Sequence, residues 1–365
     1  MTPSQWPSWL PLREQLAPMS PYGAPQIDLP VRLNTNENPY SLHNEVTASI
    51  ASEIEKVLTD LNRYPDRDAV ELRSALAQYI NQQSGTHFEK DSIWAANGSN
   101  EILQSLFLAI GGDALGFLPS YSMHPLIAKI TNSTWHDGQR KPDFTLDIDS
   151  AKNHIKEIKP ALTFITTPNN PTGTALTLAE ISDIASAVGS VGGILVVDEA
   201  YAEFSDVPSA VTLIEKFPHV VVVRTMSKAF SFAGARVGYL IAHPAVINAM
   251  LLVRLPYHLS SLTQAAARAA LSQSEHLLKN VSTIRQSRDE VARQLVNLGL
   301  SVVPSQANFL LFTGFKRPAS EIWRELVDQG ILIRDIGISG YLRVTIGTPT
   351  ENAQFITALT QSIAK

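Results

Sequence analysis

Five short, almost continuously apolar runs punctuate the chain at residues 92–96, 114–118, 161–166, 193–197 and 220–223. Runs of this length are too short for buried helices, and their valines and isoleucines favour a pleated backbone. They therefore read as strands buried on both faces. Between them apolar positions recur every three to four residues, at 45–61, 69–82, from the 97–101 turn to about 110, at 121–131 and at 178–188. That is the period of helices with one buried stripe. The alternation predicts an α/β fold, a mainly parallel sheet covered by helices on both sides. After Tyr257-His258 the pattern changes. Helical stretches at 261–271 and 275–298, the second rich in arginine and glutamine as an exposed connecting helix would be, precede short strands at 301–303, 309–312, 331–333 and 341–345. Helices at 319–329 and 351–364 complete what reads as a smaller α+β domain. Residues 1–30 hold seven prolines and few periodic apolar positions, an irregular arm that needs another surface to lie on. The expected organisation is an N-terminal arm over 1–40, a large domain over 41–260 and a small C-terminal domain over 261–365.

In sheets of this kind ligands sit beyond the carboxyl ends of the strands, and polar segments follow all five runs. Gly98 before Ser99 and Asn100 is an ordinary turn or the strand–glycine–helix geometry that binds phosphate through free backbone N–H groups. Tyr121 either packs in the core or stacks on a flat ring. Asn170-Pro171-Thr172-Gly173 is a rigid turn, plain or ligand-facing. Asp198 closes an apolar strand, where a carboxylate either caps a helix or pairs with a pyridinium nitrogen. Tyr201, three residues on, lies on the same side of a helical turn and within reach of such a ring's phenolate oxygen. Lys228 follows the last strand, where desolvating an ammonium is costly unless the group is paired or chemically used. It is a solvated loop lysine or a Schiff-base lysine holding an aldehyde cofactor, with Ser227 and Arg236 gripping a phosphate. The dense amides of residues 34–40 form a turn or a binding loop. Asp68 is placed to cap the helix at 69–82.

Composition narrows the choice. At 365 residues the chain is too long for one ordinary core, and 44% hydrophobic with 17% charged residues is a globular composition. A net charge of −5 argues against a nucleic-acid partner. The absence of cysteine removes disulfides, thiolate nucleophiles and Cys-ligated metals, and no metal is expected. No run of 18 apolar residues predicts a membrane span. The first 16 residues lack the basic start and apolar run of a signal peptide, so a cytoplasmic location is expected.

Taken in order, Gly98-Ser99-Asn100, Tyr121, Asn170-Pro171-Thr172-Gly173, Asp198-Glu199-Ala200-Tyr201, Ser227-Lys228-Ala229-Phe230 and Arg236-Val237-Gly238 resemble the fold-type I pyridoxal-phosphate enzymes of the aspartate-aminotransferase superfamily. The likeness covers nearly the whole chain. Within that superfamily, Tyr22-Gly23-Ala24, residues 33–39, Arg63-Tyr64-Pro65-Asp66, Arg334-Asp335 and residues 342–347 resemble signatures of the histidinol-phosphate aminotransferase family. Tyr40-Ser41-Leu42 departs from them, since relatives commonly carry more proline there. The resemblance implies a large domain with a mainly parallel seven-stranded sheet between helices, plus the smaller α+β domain. It implies pyridoxal 5'-phosphate as cofactor, with Lys228 as covalent anchor and general acid–base and Asp198 on the pyridine nitrogen. Tyr201 and Asn170 would meet the ring hydroxyl, with Tyr121 stacked on the ring. Gly98, Ser99, Asn100, Thr225, Ser227 and Arg236 would surround the cofactor phosphate. Tyr64 would reach the phosphate of the partner subunit, so a homodimer with shared active sites is implied. Arg343 would clamp the substrate carboxylate. Arg334 and Arg343 together would accept either the carboxylate of glutamate and 2-oxoglutarate or the phosphate of histidinol phosphate, and Tyr22, Asn36 and Tyr257 would line the imidazole side. The implied reaction interconverts L-histidinol phosphate plus 2-oxoglutarate with imidazole-acetol phosphate plus L-glutamate. An aromatic-amino-acid aminotransferase and a decarboxylase of a phosphorylated amino acid are the alternatives on the same fold.

Overall fold

The computed structural model describes residues 6–364; residues 1–5 of the expected arm and Lys365 of the expected small domain lie outside the described residues. The strands are β1 (Val31–Arg32), β2 (Ile93–Ala96), β3 (Ala114–Leu118), β4 (Trp135–Gln139), β5 (Leu162–Thr166), β6 (Ile194–Asp198), β7 (Val220–Thr225), β8 (Gly238–Ile241), β9 (Ser301–Val302), β10 (Phe309–Thr313), β11 (Ile331–Leu332), β12 (Arg334–Asp335) and β13 (Leu342–Thr345). Seven of them form one sheet in the order β2-β8-β7-β6-β5-β3-β4. Its pairings are parallel except those of β8, which runs antiparallel to both β2 and β7. The central strands are apolar on both faces because helices cover both, and Val220 to Val223 are fully buried.

Two members of this sheet are not marked by apolar runs. The sequence of β4, Trp-His-Asp-Gly-Gln, has mostly polar side chains because it is an edge strand that is only partly covered. β8 begins at a glycine within the polar Arg236-Val237-Gly238 segment. Helices at Ile148–Ile158 and Pro244–Val253 also add to the expected set. The helix expected at 69–82 runs over Val70–Ser84, and Asp66 rather than Asp68 serves its first turn. Ala69 adopts a left-handed conformation (φ 47°), and the Asp66 carboxylate accepts from the Val70 N–H at 2.8 Å. Asp68 instead pairs with Arg67 and Arg254.

The second sheet is antiparallel, in the order β12-β13-β10-β9. The arm joins this side of the molecule, since β1 pairs in parallel with β11. The long helix Ser274–Asn297 is not exposed all round: Leu277, Val281, Ile284, Arg288, Val291 and Leu295 form a buried stripe that includes one arginine. Helix Ser261–Ser272, assigned by sequence to the smaller domain, lies against Asn44–Leu58 and Val70–Ser84 beside the large sheet. Among the described residues no helix is long and apolar enough to cross a membrane. No group of three or more His, Asp or Glu side chains among them could hold a metal.

This topology gathers polar strand ends on one rim. β2 and β7 are both antiparallel to β8, so they point the same way, and the carboxyl ends of β2, β3, β5, β6 and β7 share an edge. Because β8 is reversed, its amino end lies at that same edge, which brings Arg236 to the rim. The approach is close. A side chain at Gly238 would place its Cβ 2.4 Å from the Ser99 amide nitrogen, so only glycine lets β8 start against the Gly98–Ser99 loop.

Candidate active site

Beyond the rim lies a cavity of about 340 Å³, closed on one side by the arm and on another by β12 and β13. Its wall includes Tyr22, Asn36, Ser99, Asn100, Tyr121, Asn170, Asp198, Tyr201, Thr225, Ser227, Lys228, Arg236, Arg334 and Arg343. Gly98 stands directly behind the wall, against Arg236. Four cations thus face the cavity with one carboxylate, Asp198. None of Arg236, Arg334 and Arg343 forms an ion pair with a carboxylate among the described residues.

Lys228 sits in the turn after β7, half-buried, and its Nζ donates to the Thr35 carbonyl at 3.0 Å. Burial is the main cause that brings its ammonium down to about 8, and the charges of Arg343 and Arg236 act in the same direction while Glu37 opposes them. A neutral amine is therefore available two to three pH units below an ordinary lysine. Only the neutral amine attacks an aldehyde. The rate at which cofactor-free protein takes up pyridoxal phosphate, followed by its visible absorbance, is expected to rise with pH through a midpoint near 8. A midpoint near 10.5, that of an ordinary lysine, would contradict this environment.

Asp198 ends β6 and is buried. Its Oδ1 accepts from the Ala200 N–H at 3.2 Å, and its Oδ2 lies 3.2 Å from His124 Nε2. His124 is a partner that the sequence reading missed. It lies in the first turn of helix Met123–Ile130, three residues after Tyr121, a spacing that puts both rings on one side. Asp198 and Tyr201 do meet the same cavity, but through a tight turn ahead of the 3-10 helix Ala202–Phe204 rather than through one helical turn. The intervening Glu199 faces away. Its carboxylate accepts from Arg224 Nε at 2.8 Å, the Ser209 hydroxyl at 2.7 Å and the Ala210 N–H at 2.7 Å. Adjacent carboxylates are thereby kept in separate electrostatic environments.

One end of the cavity suits a phosphate. Helix Ser99–Ile110 presents its amino terminus there, with the Thr225 and Ser227 hydroxyls 2.8 Å apart beside it. Gly98 has φ +84°, and a Cβ on it would fall 2.5 Å from Arg236 Nη2, so the guanidinium lies directly on the backbone. Tyr121 donates from its hydroxyl to Asn100 Oδ1 at 3.2 Å, and burial raises its phenol well above the usual range. The donor set matches pyridoxal phosphate part by part: cations and N–H groups for a dianion, a buried carboxylate for a ring nitrogen, an aromatic face and an amine.

The opposite end is built on β13. Arg343 Nη1 donates to Asn170 Oδ1 at 2.6 Å and Nη2 to the Asn34 carbonyl at 2.8 Å, while its Nε is buried without a partner. Burial lowers this guanidinium to about 10, still charged at neutral pH. Arg334 on β12 stands directly opposite Arg343 in the strand register. Tyr22 accepts from the Ser122 hydroxyl at 3.2 Å at the mouth.

Tyr257 is not brought to this cavity, and Tyr64, expected at the partner subunit's site, stands away from its own chain's. Tyr64 and Tyr257 stack on each other on the surface, with ring centroids 4.4 Å apart and 79% and 41% exposed. The expectation that Tyr257 lines the imidazole side is corrected for the single chain: Arg254 donates to the Arg67 carbonyl at 2.7 Å and pairs with Asp68, which holds the following residues beside Tyr64. Asn36 does reach the cavity wall, but its amide bonds to Tyr201 and Thr345 rather than standing free for a substrate.

Comparison with known proteins follows the same lines. The family model for aminotransferase class I and II matches residues 30–359. A histidinol-phosphate aminotransferase of Mycobacterium sp. (strain JLS) is 54% identical over 353 residues, covering 96% of this chain and 93% of that one. That of Corynebacterium glutamicum (strain R) is 51% identical over 358 residues and covers 97% of each. Among solved structures, histidinol-phosphate aminotransferase from Sinorhizobium meliloti in complex with pyridoxal-5'-phosphate superposes with a TM-score of 0.82 at 24% identity, covering 92% of this chain and 91% of its own. A variant of Thermus thermophilus aspartate aminotransferase gives 0.82 at 20% identity, covering 96% and 99%. These structures carry the fold-type I architecture expected from the sequence.

Proposed function

The chain belongs to the class I and II aminotransferases, and from that premise we propose that it is a pyridoxal-phosphate-dependent enzyme interconverting L-histidinol phosphate plus 2-oxoglutarate with imidazole-acetol phosphate plus L-glutamate. The observation that carries the reading is a lysine of lowered proton affinity facing a cavity with three carboxylate-free arginines and one buried aspartate. Relatives above 50% identity that bear the histidinol-phosphate name support the choice of substrate.

Pyridoxal phosphate, when bound, supplies the electron sink that acidifies the substrate carbon bearing the amino group. Lys228, which faces the cavity, would anchor it covalently and would carry the proton taken from that carbon. Its neutral form near pH 8 suits this exchange. Asp198, held by His124 and the Ala200 N–H, would be the partner of the ring nitrogen. Tyr201, whose phenol burial raises to about 12, stays protonated and donates to the ring oxygen. The helix terminus, Ser227 and Arg236 would hold its phosphate, and Arg343 at the cavity wall would orient the substrate carboxylate.

Arg334 is the added cation by which one site accepts both a carboxylate and a phosphate. Arg334→Ala is expected to lower kcat/KM for histidinol phosphate by about 10- to 150-fold, the effect of one charge-assisted contact worth about 1.5–3 kcal/mol. The same variant should leave phenylalanine, which has no phosphate, within about threefold of the parent. A donor panel of histidinol phosphate, phenylalanine, tyrosine and tryptophan with 2-oxoglutarate, with carbon dioxide measured alongside, tests both the substrate and the reaction. Wild-type preference for an aromatic amino acid, or release of carbon dioxide, would refute the assignment.

The proposal includes a homodimer. Leu58, Leu61, Tyr64, Leu252, Leu255 and Tyr257 are each exposed by 41% or more, an apolar surface that a second copy can cover. The paired Tyr64 and Tyr257 rings would then face the partner's site together.

A further inference from the structure

Tyr201 is useful to the cofactor only if its hydroxyl hydrogen points into the cavity, and the surrounding bonds decide that direction. Two side-chain amides contact the phenolic oxygen: Asn36 Nδ2 at 2.9 Å and Asn170 Nδ2 at 3.4 Å. Amide nitrogens and oxygens are interchangeable in shape, so each orientation needs a reason. For Asn170 the reason is Arg343, a group that only donates. Its Nη1 lies 2.6 Å from Asn170 Oδ1, which turns the amide nitrogen to Tyr201. For Asn36 the reason is Thr345. The Thr345 hydroxyl accepts from the Asn36 backbone N–H at 3.0 Å, so its single hydrogen is available for Asn36 Oδ1 at 3.1 Å. With Oδ1 taking that hydrogen, the Asn36 nitrogen is the end turned to Tyr201. With both neighbours donating to it, the Tyr201 oxygen has its acceptor sites filled, and its own hydrogen is left to face the ligand.

We propose that Thr345, which faces Tyr201 only through Asn36, is a positioning residue that sets the donor direction of Tyr201. It is buried on β13, two residues from Arg343 and on the same face of the strand. Asn36 is held firmly for the task. Its backbone is left-handed (φ 55°), a conformation asparagine tolerates, and its carbonyl accepts from Asn308 Nδ2 at 3.2 Å. The strand that carries the carboxylate clamp therefore also orients the group that meets the ring oxygen. The charged and titratable groups facing Tyr201 are Arg343, Asp198 and Tyr22, with Tyr121 and Lys228 in the same cavity; Thr345 adds no charge to this set.

The inference rests on the reading of Tyr201 as the ring-oxygen partner, and the test separates the two. A donor to the ring oxygen favours the deprotonated form of the bound chromophore, so losing it raises the pH at which the visible band changes. Holoenzyme of the parent, Tyr201→Phe, Thr345→Val and Thr345→Ser is titrated spectroscopically. The expected result is an upward shift of about half a pH unit or more for Tyr201→Phe, a smaller upward shift for Thr345→Val and none for Thr345→Ser. In an Asn36→Gly background, which keeps the left-handed backbone but removes the amide, Thr345→Val should add nothing. An unshifted Tyr201→Phe protein overturns the reading of Tyr201. A shifted Tyr201→Phe with an unshifted Thr345→Val, or an equal Thr345→Val shift with and without the Asn36 amide, overturns the relay alone. If Thr345→Val fails to fold, Thr345→Ala takes its place with the same expected shift, and Asn36→Gly must itself raise the midpoint by less than Tyr201→Phe does; a parental midpoint in either overturns the proposal.

Discussion

Lys228→Ala is expected to lower turnover of histidinol phosphate by at least about 10⁴-fold. Two functions are lost at once. The amine is the proposed covalent anchor of the cofactor, and it is the proposed carrier of the proton at the substrate carbon, a contribution of about 10²–10⁴ by itself for a well-placed acid–base group. Among the described residues no second lysine lines the cavity to replace it. The phosphate-binding elements remain, so the variant should still bind pyridoxal phosphate, without the absorbance of the covalently held form. Borohydride reduction of the parent holoenzyme followed by peptide mapping should place the cofactor on residue 228 alone. Turnover above about 1% of the parent in the variant, or a label at another lysine, would remove the basis of the proposed mechanism.

The parts that the sequence made legible were those that local chemistry marks. Four consecutive valines ending in a polar turn identify β7 and isolate Lys228, because a buried strand cannot hold an ammonium until its end. Asp198 is marked in the same way by β6. The strand ends converge because parallel neighbours must share a direction, and that follows from alternation alone. What stayed hidden depends on partners distant in the chain. β4 shows no alternation because it is a partly covered edge, and β8 is short because Gly238 must press against Gly98 and Ser99. His124 reads as an ordinary helix residue until β6 sets Asp198 beside it. The link from Asn36 to Thr345 spans 309 residues and leaves no periodic trace in either segment. Tyr257 stands outside its own chain's cavity for the same reason, beside the contacts of Arg254 with residues 67 and 68.

Asp198→Asn is the second large effect, and it isolates charge from shape. Asparagine preserves the volume at the end of β6 and one acceptor for the Ala200 N–H, but it presents no negative charge to a ring nitrogen. Among the described residues Asp198 is the only carboxylate lining the cavity, so none of them substitutes for it. Breaking a buried charge pair by neutralising one partner typically costs 3–5 kcal/mol. Because the ring nitrogen's positive charge is what draws electrons from the substrate carbon, that loss should appear mainly in kcat, as a fall of roughly 10²- to 10⁴-fold. Cofactor stoichiometry should stay near one per chain, since the anion-binding end, Ser227, Arg236 and the helix terminus, is untouched. His124→Ala removes only the outer partner of the carboxylate and should reduce kcat less, by about tenfold, at an unchanged KM for glutamate. The two variants together distinguish charge from alignment. An Asp198→Asn enzyme within tenfold of the parent would mean that the ring nitrogen needs no charged partner here, and the electron sink would have to draw on the cations around it instead.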